Sequence, residues 1–106
     1  MDGTKGKPGE SLGMTGEQKR EVVEESLEAR NPEAKFADGL DEALIGVGGQ
    51  FQDCVAVYSV DRIIRIYQER DGMTWDEAWD HFLFNVAGAG VGPNGPIFVE
   101  GLEGEE

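Results

Sequence analysis

His81 and Glu77 are the residues whose types and spacing come nearest to those of a reactive site. His81 is the only histidine of the chain and lies four residues after Glu77. On a helix the two side chains would be neighbours, and such a pair could transfer a proton or supply half of a metal site. No second histidine or cysteine supports it at helical spacing. We therefore interpret His81 as a surface or edge histidine and expect no catalytic residue and no metal ligand.

Cys54 is the second residue that could do chemistry. It is the only cysteine, so an intramolecular disulfide is excluded. Residues 53–58, Asp-Cys-Val-Ala-Val-Tyr, carry no basic side chain that would activate a thiol. We expect a small buried hydrophobe instead. We predict a non-enzymatic protein. A small enzyme that uses Glu77, His81 or Cys54 is the third hypothesis.

Acidic and glycine-rich segments resemble ligand loops only weakly. The acids at positions 71, 76, 77 and 80 lack the alternation and the terminal glutamate of a calcium-binding loop. Residues 46–51 lack the last glycine of a dinucleotide loop, and residues 88–92 follow a helical pattern instead of opening one. We interpret these glycines as structural and expect no cofactor.

The net negative charge of the chain limits the kinds of binding partner that we expect. The chain has 106 residues, with 22 acidic against 9 basic side chains and a formal charge of −13. Such a charge disfavours nucleic acid and anionic membranes as partners and favours a basic protein surface, although a merely solvated surface has the same composition. Residues 1–8 contain no apolar signal core, and the sequence has no membrane-length apolar run. We expect a protein of the cytoplasm of a bacterial or infected host cell.

Four segments follow from composition and periodicity. Residues 1–14 read as a disordered arm and residues 15–31 as an N-terminal helix. Residues 36–100 are predicted to form a single α+β domain, and residues 101–106 form an acidic tail. The expected fold is a small two- to three-stranded sheet packed against a helical hairpin, plus the N-terminal helix.

The N-terminal helix has a clear start and a thin apolar stripe. Thr15 and Gln18 fit a capping box, and Asn31-Pro32 ends a helix that is predicted from about residue 16 to Arg30. Its apolar stripe consists only of Val22, Val23 and Leu27. So narrow a stripe leaves open whether this helix docks on the core or orders on a partner.

Three short apolar runs are candidate strands. Residues 55–58 and 97–99 are rich in β-branched and aromatic side chains, which favours strands. Residues 43–47 fit either a strand or the end of a helix, because so short a run has no decisive period. Residues 93–95, Pro-Asn-Gly, predict a turn before the last strand.

Two amphipathic helices are predicted over about residues 62–70 and 74–86. Asp61 is the expected N-cap of the first, and Gly72 fits the left-handed position that ends it. Thr74 and Glu77 form a second capping box. One face of the second helix is lined by Trp75, Ala78, Trp79, Phe82 and Val86. Leu83 and Phe84 widen this apolar surface, which predicts a C-terminal end buried on several sides.

The block from residue 43 to residue 99 resembles a family of small, largely uncharacterised proteins of tailed phages and bacterial prophage genomes. The matching pieces are residues 43–48, 56–58, 71–74, 77–78, 82, 84–86, 88–89, 91–92 and 96–98. The sequence departs from the family pattern at Gly90, where an aromatic residue is expected, and at Ser59, where an acid is usual. The resemblance implies an accessory gene product of phage type and implies no established activity.

The leading hypothesis is therefore a phage-type accessory protein that acts by binding a host or phage protein. Trp75, Asp76, Trp79 and Asp80 are the predicted contact residues, since tryptophan is enriched at interface hot spots, although core packing is the ordinary role of such a pair. A homodimer through the same tryptophans is also open. Direct DNA binding is disfavoured, because the helix that follows Gly72 opens with acids that would face phosphates.

The alternative hypothesis is an inhibitor that mimics nucleic acid and blocks a host defence protein. Its phosphate-like charges would come from the two acidic helices, at Glu21, Glu24, Glu25, Glu28, Asp76, Glu77 and Asp80. Salt separates the two hypotheses, because mimicry should weaken steeply with ionic strength, whereas an apolar interface should not.

Overall fold

The computed structural model describes residues 14–50, 53–87 and 92–101. Within these residues the chain is an α+β globule with three α-helices and a three-stranded mixed sheet, as predicted. The elements, in chain order, are α1 (Gly16–Glu28), a 3-10 turn (Asp41–Ala43), β1 (Leu44–Gly48), β2 (Val55–Ser59), α2 (Val60–Asp71), α3 (Trp75–Phe82), a π-helical turn (Leu83–Ala87) and β3 (Ile97–Val99).

β2 is the central strand of the sheet. It pairs with β1 in antiparallel and with β3 in parallel orientation. A parallel pair needs a long crossover, and α2 with α3 lies in that connection. In the parallel register Tyr58 lies opposite Phe98, so the last strand places Phe98 beside the most deeply buried part of β2.

A single apolar cluster joins the three helices to the sheet. Its buried members include Val23 and Leu27 of α1, Tyr58 of β2, Ile63 of α2 and Phe82 of α3. The N-terminal helix therefore docks on the core, although Val22 stays 55% exposed. The Tyr58 hydroxyl, wholly buried, accepts a hydrogen bond of 2.7 Å from the backbone N–H of Ala37 and thereby ties the loop before β1 to the core.

Local capping signals are confirmed. Both reciprocal bonds of the capping box are present at Thr15 with Gln18 and at Thr74 with Glu77. Gly72 ends α2 in the left-handed conformation, with φ of 69°. The turn before β3 is also present, closed by a hydrogen bond from Gly95 N–H to the Gly92 carbonyl at 3.2 Å.

The bounds of α2 and of the first strand differ from the expectation. Ser59, not Asp61, is the N-cap of α2, because its hydroxyl accepts from the Arg62 N–H at 3.2 Å, and the helix begins at Val60. The ambiguous run at residues 43–47 resolves into a strand, since residues 44–48 pair with β2. α1 ends at Glu28, two residues before the expected end.

The C-terminal end of the second predicted helix is the main error. α3 ends at Phe82 and continues as a π-helical turn. The expected burial of Leu83 and Phe84 is wrong, since they are 43% and 80% exposed. Val86, also in the predicted stripe, does pack against the core cluster, so the prediction for this end fails only for Leu83 and Phe84.

Several predictions lie outside the described residues. The proposed disordered arm is described only at Met14, and the acidic tail only at Gly101. The glycine-rich segment at residues 88–92 is described only at Gly92, so the prediction for Gly90 lies outside the described residues.

Candidate protein-binding surface on the third helix

Trp75 and Trp79 stack on each other at the start of α3. Their ring centroids are 5.6 Å apart and their planes differ by 9°. Trp75 is the first residue of the helix, directly after the N-cap Thr74, and it is 55% exposed. Trp79 is half-buried and packs against the core cluster. The core-packing interpretation therefore fails for Trp75, which presents an indole to solvent. We call this pair the tryptophan stack.

Ring contacts connect the tryptophan stack to the interior. Trp79 lies 5.8 Å from Phe82 between centroids, and Phe82 meets Phe98 edge to face at 5.2 Å. Phe98 in turn lies 5.8 Å from the buried ring of Tyr58. Aromatic pairs at these separations attract each other beyond the effect of burial alone. The exposed indole is therefore connected to the core through a continuous series of ring contacts.

Carboxylates lie beside the tryptophan stack. Asp76 and Asp80 each follow one of the tryptophans by one residue, about 100° round the helix, and both are exposed. Glu77 contributes to the helix cap instead, because its Oε1 accepts a hydrogen bond of 2.9 Å from the Thr74 N–H in the capping box. None of the nine lysines and arginines follows Arg70 in the sequence. The four predicted contact residues thus lie together on one acidic and aromatic surface.

Two apolar side chains that the sequence assigned to the core extend this surface. Leu83 lies four residues after Trp79, on the same side of the helix, and Phe84 is the most exposed of the large hydrophobic side chains described. Both belong to the π-helical turn, for which the sequence carries no recognised signal.

His81 is half-buried and contacts two side chains other than Glu77, with which it could have paired on a helix. Its ring meets Tyr67 edge to face, with centroids 4.6 Å apart, and its Nδ1 lies 3.3 Å from Nδ2 of Asn85. Burial raises the pKa of Tyr67 above its ordinary value. Among the described residues no cluster of three histidine, cysteine, aspartate or glutamate side chains could hold a metal ion. Cys54 is buried, as expected.

A second exposed apolar area lies between α1 and the edge of β1. Met14, Val22 and Ile45 surround a groove of about 190 Å³ that Lys19 also lines. Burial lowers the pKa of Lys19, and the nearby positive charge of Arg62 lowers it further. The Lys19 ammonium donates to the Glu42 carbonyl at 2.8 Å, so this cation serves to fix α1 against the 3-10 turn.

The outer face of α1 is strongly acidic. Glu21, Glu24, Glu25 and Glu28 are all exposed. Arg20 pairs with Glu24 at 2.8 Å and with Asp41 at 3.2 Å, and its ion pairs raise its pKa against the opposing effect of burial. One of the four glutamates is therefore partly neutralised.

Comparison with known proteins adds no family assignment. No protein-family model, no curated protein and no solved structure matches this chain. In the part of the chain that the structure describes, no helix is both long and apolar enough to cross a membrane.

Proposed function

We propose that this chain is a non-enzymatic accessory protein of phage type that binds a host or phage protein through the tryptophan stack and its two aspartates. The observation that carries the proposal is the 55% exposure of Trp75, held in place by Trp79. Tryptophan is among the side chains most enriched at interface hot spots. The resemblance of residues 43–99 to phage proteins supports the phage assignment.

Rigidity of the stack favours a binding role. A side chain that is already ordered loses little conformational entropy when a partner covers it. Trp75 is ordered by its neighbour Trp79, whose ring contacts continue to Phe98 and the core. Such an indole acts as a preformed anchor, and the acids around it favour a partner with a basic surface.

The test is affinity capture from nuclease-treated bacterial lysate with the wild-type chain and two variants. Val22 is the matched control, because it is also 55% exposed but lies on α1. We expect the same protein to be captured by the wild type and by Val22→Ala at low and high salt, and to be lost with Trp75→Ala. Equal capture by both variants would contradict the proposed surface.

Mimicry of nucleic acid by the outer face of α1 is the second candidate function, with a host defence protein as the target. It is favoured by the exposure of Glu21, Glu25 and Glu28 along one helix. A partner bound in this way should be lost at high salt and retained by Trp75→Ala. Replacing these three glutamates with glutamine should abolish its capture, whereas the same change should leave a Trp75-dependent partner bound.

A further inference from the structure

The exposed apolar surface of α3 has the form of a narrow stripe. Trp75 and Trp79 lie about one turn apart on α3, and Leu83, the C-cap residue with helical dihedral angles, follows four residues later, so the three lie within about 80° of one side of the helix. Eight residues separate the ends of this stripe, which gives a length of about 12 Å, or roughly two helical turns. Side chains of a second helix at the same spacing would lie against all three.

The charged side chains that α3 places beside the stripe are acidic. Asp76 and Asp80 lie next to it and are exposed, and α3 itself contains no lysine or arginine. Opposite charge on a partner would therefore be attracted to the part of the stripe that these two aspartates flank, and an arginine or lysine could also lie over the exposed indole of Trp75.

A second copy of this chain is a poor occupant of the stripe. Each copy carries a formal charge of −13, and pairing of two α3 helices would bring the aspartates of both copies to one interface. Like charges placed together in this way oppose association. The occupant that the charges favour is a cation-bearing segment of another protein.

We propose, as an extension of the proposed function on which it rests, that the partner contributes a basic amphipathic helix. Its apolar side chains cover Trp75, Trp79 and Leu83, and its lysines or arginines meet Asp76 and Asp80. This is the helix-on-helix form of peptide recognition, in which apolar anchors give affinity and charges fix the orientation.

The test uses the full chain and a labelled synthetic peptide of about 16 residues, with leucine at helical spacing and lysine elsewhere. Fluorescence anisotropy measures its dissociation constant for the wild type and the variants. We expect Trp75→Ala and Leu83→Ala each to weaken binding, the first by at least about tenfold, and Val22→Ala to leave it unchanged. Asp76→Asn with Asp80→Asn should weaken binding at low salt and reduce its salt dependence, whereas Glu25→Gln on α1 should do neither.

A peptide of the same composition without helical periodicity is the control for general attraction to an acidic protein. Equal affinity for the two peptides, or no binding of the periodic one, would overturn the inference. So would a dimer in sedimentation equilibrium that Trp75→Ala dissociates. If lysate capture still depends on Trp75 when the peptide does not bind, only the helical partner is refuted. If capture is independent of Trp75, the proposed function itself fails.

Discussion

Gly48 of β1 offers a sharp test of how tightly the sheet is packed. A Cβ atom added there would lie 2.9 Å from Cγ2 of Val57, closer than real Cβ contacts come. Gly48 is not among the described glycines with positive φ, so its backbone accepts alanine. Val57 is only 9% exposed and β-branched, hence stiff, and it cannot swing away at low cost. We expect Gly48→Ala to destabilise the fold by about 1–3 kcal/mol.

The destabilisation by Gly48→Ala should turn into stabilisation when Cγ2 of Val57 is removed. Val57→Ala deletes Cγ2 and by itself should cost about 2 kcal/mol of apolar burial. In that background Gly48→Ala meets no obstacle and should stabilise the strand by about 0.5–1 kcal/mol, because glycine loses more backbone entropy on folding than alanine does. The two substitutions should therefore couple by roughly 1.5–4 kcal/mol.

Urea unfolding of the four proteins, followed by tryptophan fluorescence, measures this coupling as differences in the free energy of unfolding. The m-value should stay constant through the set, which shows that the substitutions act on stability and not on the compactness of either state. Equal effects of Gly48→Ala in the two backgrounds would refute the contact with Val57 as its cause.

The remaining predictions concern a buried hydroxyl, two helix ends and one exposed ring. Tyr58→Phe should cost about 1–3 kcal/mol, since the Ala37 N–H loses its acceptor. Burial raises the pKa of Tyr58 above its ordinary 10.0, so the unfolded chain releases this proton at a lower pH than the folded protein does. Wild-type stability should therefore be fully present below pH 10 and fall as the pH rises through the folded-state pKa. Urea midpoints measured against pH should show a smaller fall for Tyr58→Phe than for the wild type. Gly72→Ala should lower stability by about 1 kcal/mol in thermal denaturation, because φ is 69° there, and Gly72→Asn should lower it less. Thr74→Ala should cost about 1 kcal/mol of stability, because the helix loses its N-cap. Phe84→Ser should change stability by less than about 0.5 kcal/mol, because Phe84 is 80% exposed. Calorimetry that finds Phe84→Ser more destabilising than Thr74→Ala would contradict the exposure of this ring.

Features that depend on residues close together in the sequence were predicted correctly. The two capping boxes, at Thr15 and Thr74, and the left-handed Gly72 are confirmed because each depends on one side chain or one backbone angle next to a helix end. Burial of Cys54 followed from its apolar neighbours. The closeness of Trp75, Asp76, Trp79 and Asp80 also followed directly from helical spacing.

The sequence did not decide between alternatives where neighbouring residues favoured two different structures. Ser59 and Asp61 are both good N-caps; the hydroxyl of Ser59 caps α2, which starts directly after β2 and buries Val60. The choice between strand and helix for residues 43–47 depended on β2, whose backbone supplies the partner for a strand.

The sequence alone determined the capping boxes that start α1 and α3, the glycine that ends α2, the α+β class and the place of the acidic and aromatic residues on α3, because these depend on local hydrogen bonds and on periodicity. Tertiary structure decided which side chains meet solvent. The parallel pairing of β3 with β2 brings Phe98 against Phe82, and that contact holds the C-terminal end of α3 against the sheet. Trp75 at one end of α3, and Leu83 and Phe84 beyond the other, are left with exposed surface. Burial depends on where distant strands pack, and helical spacing carries no information about that.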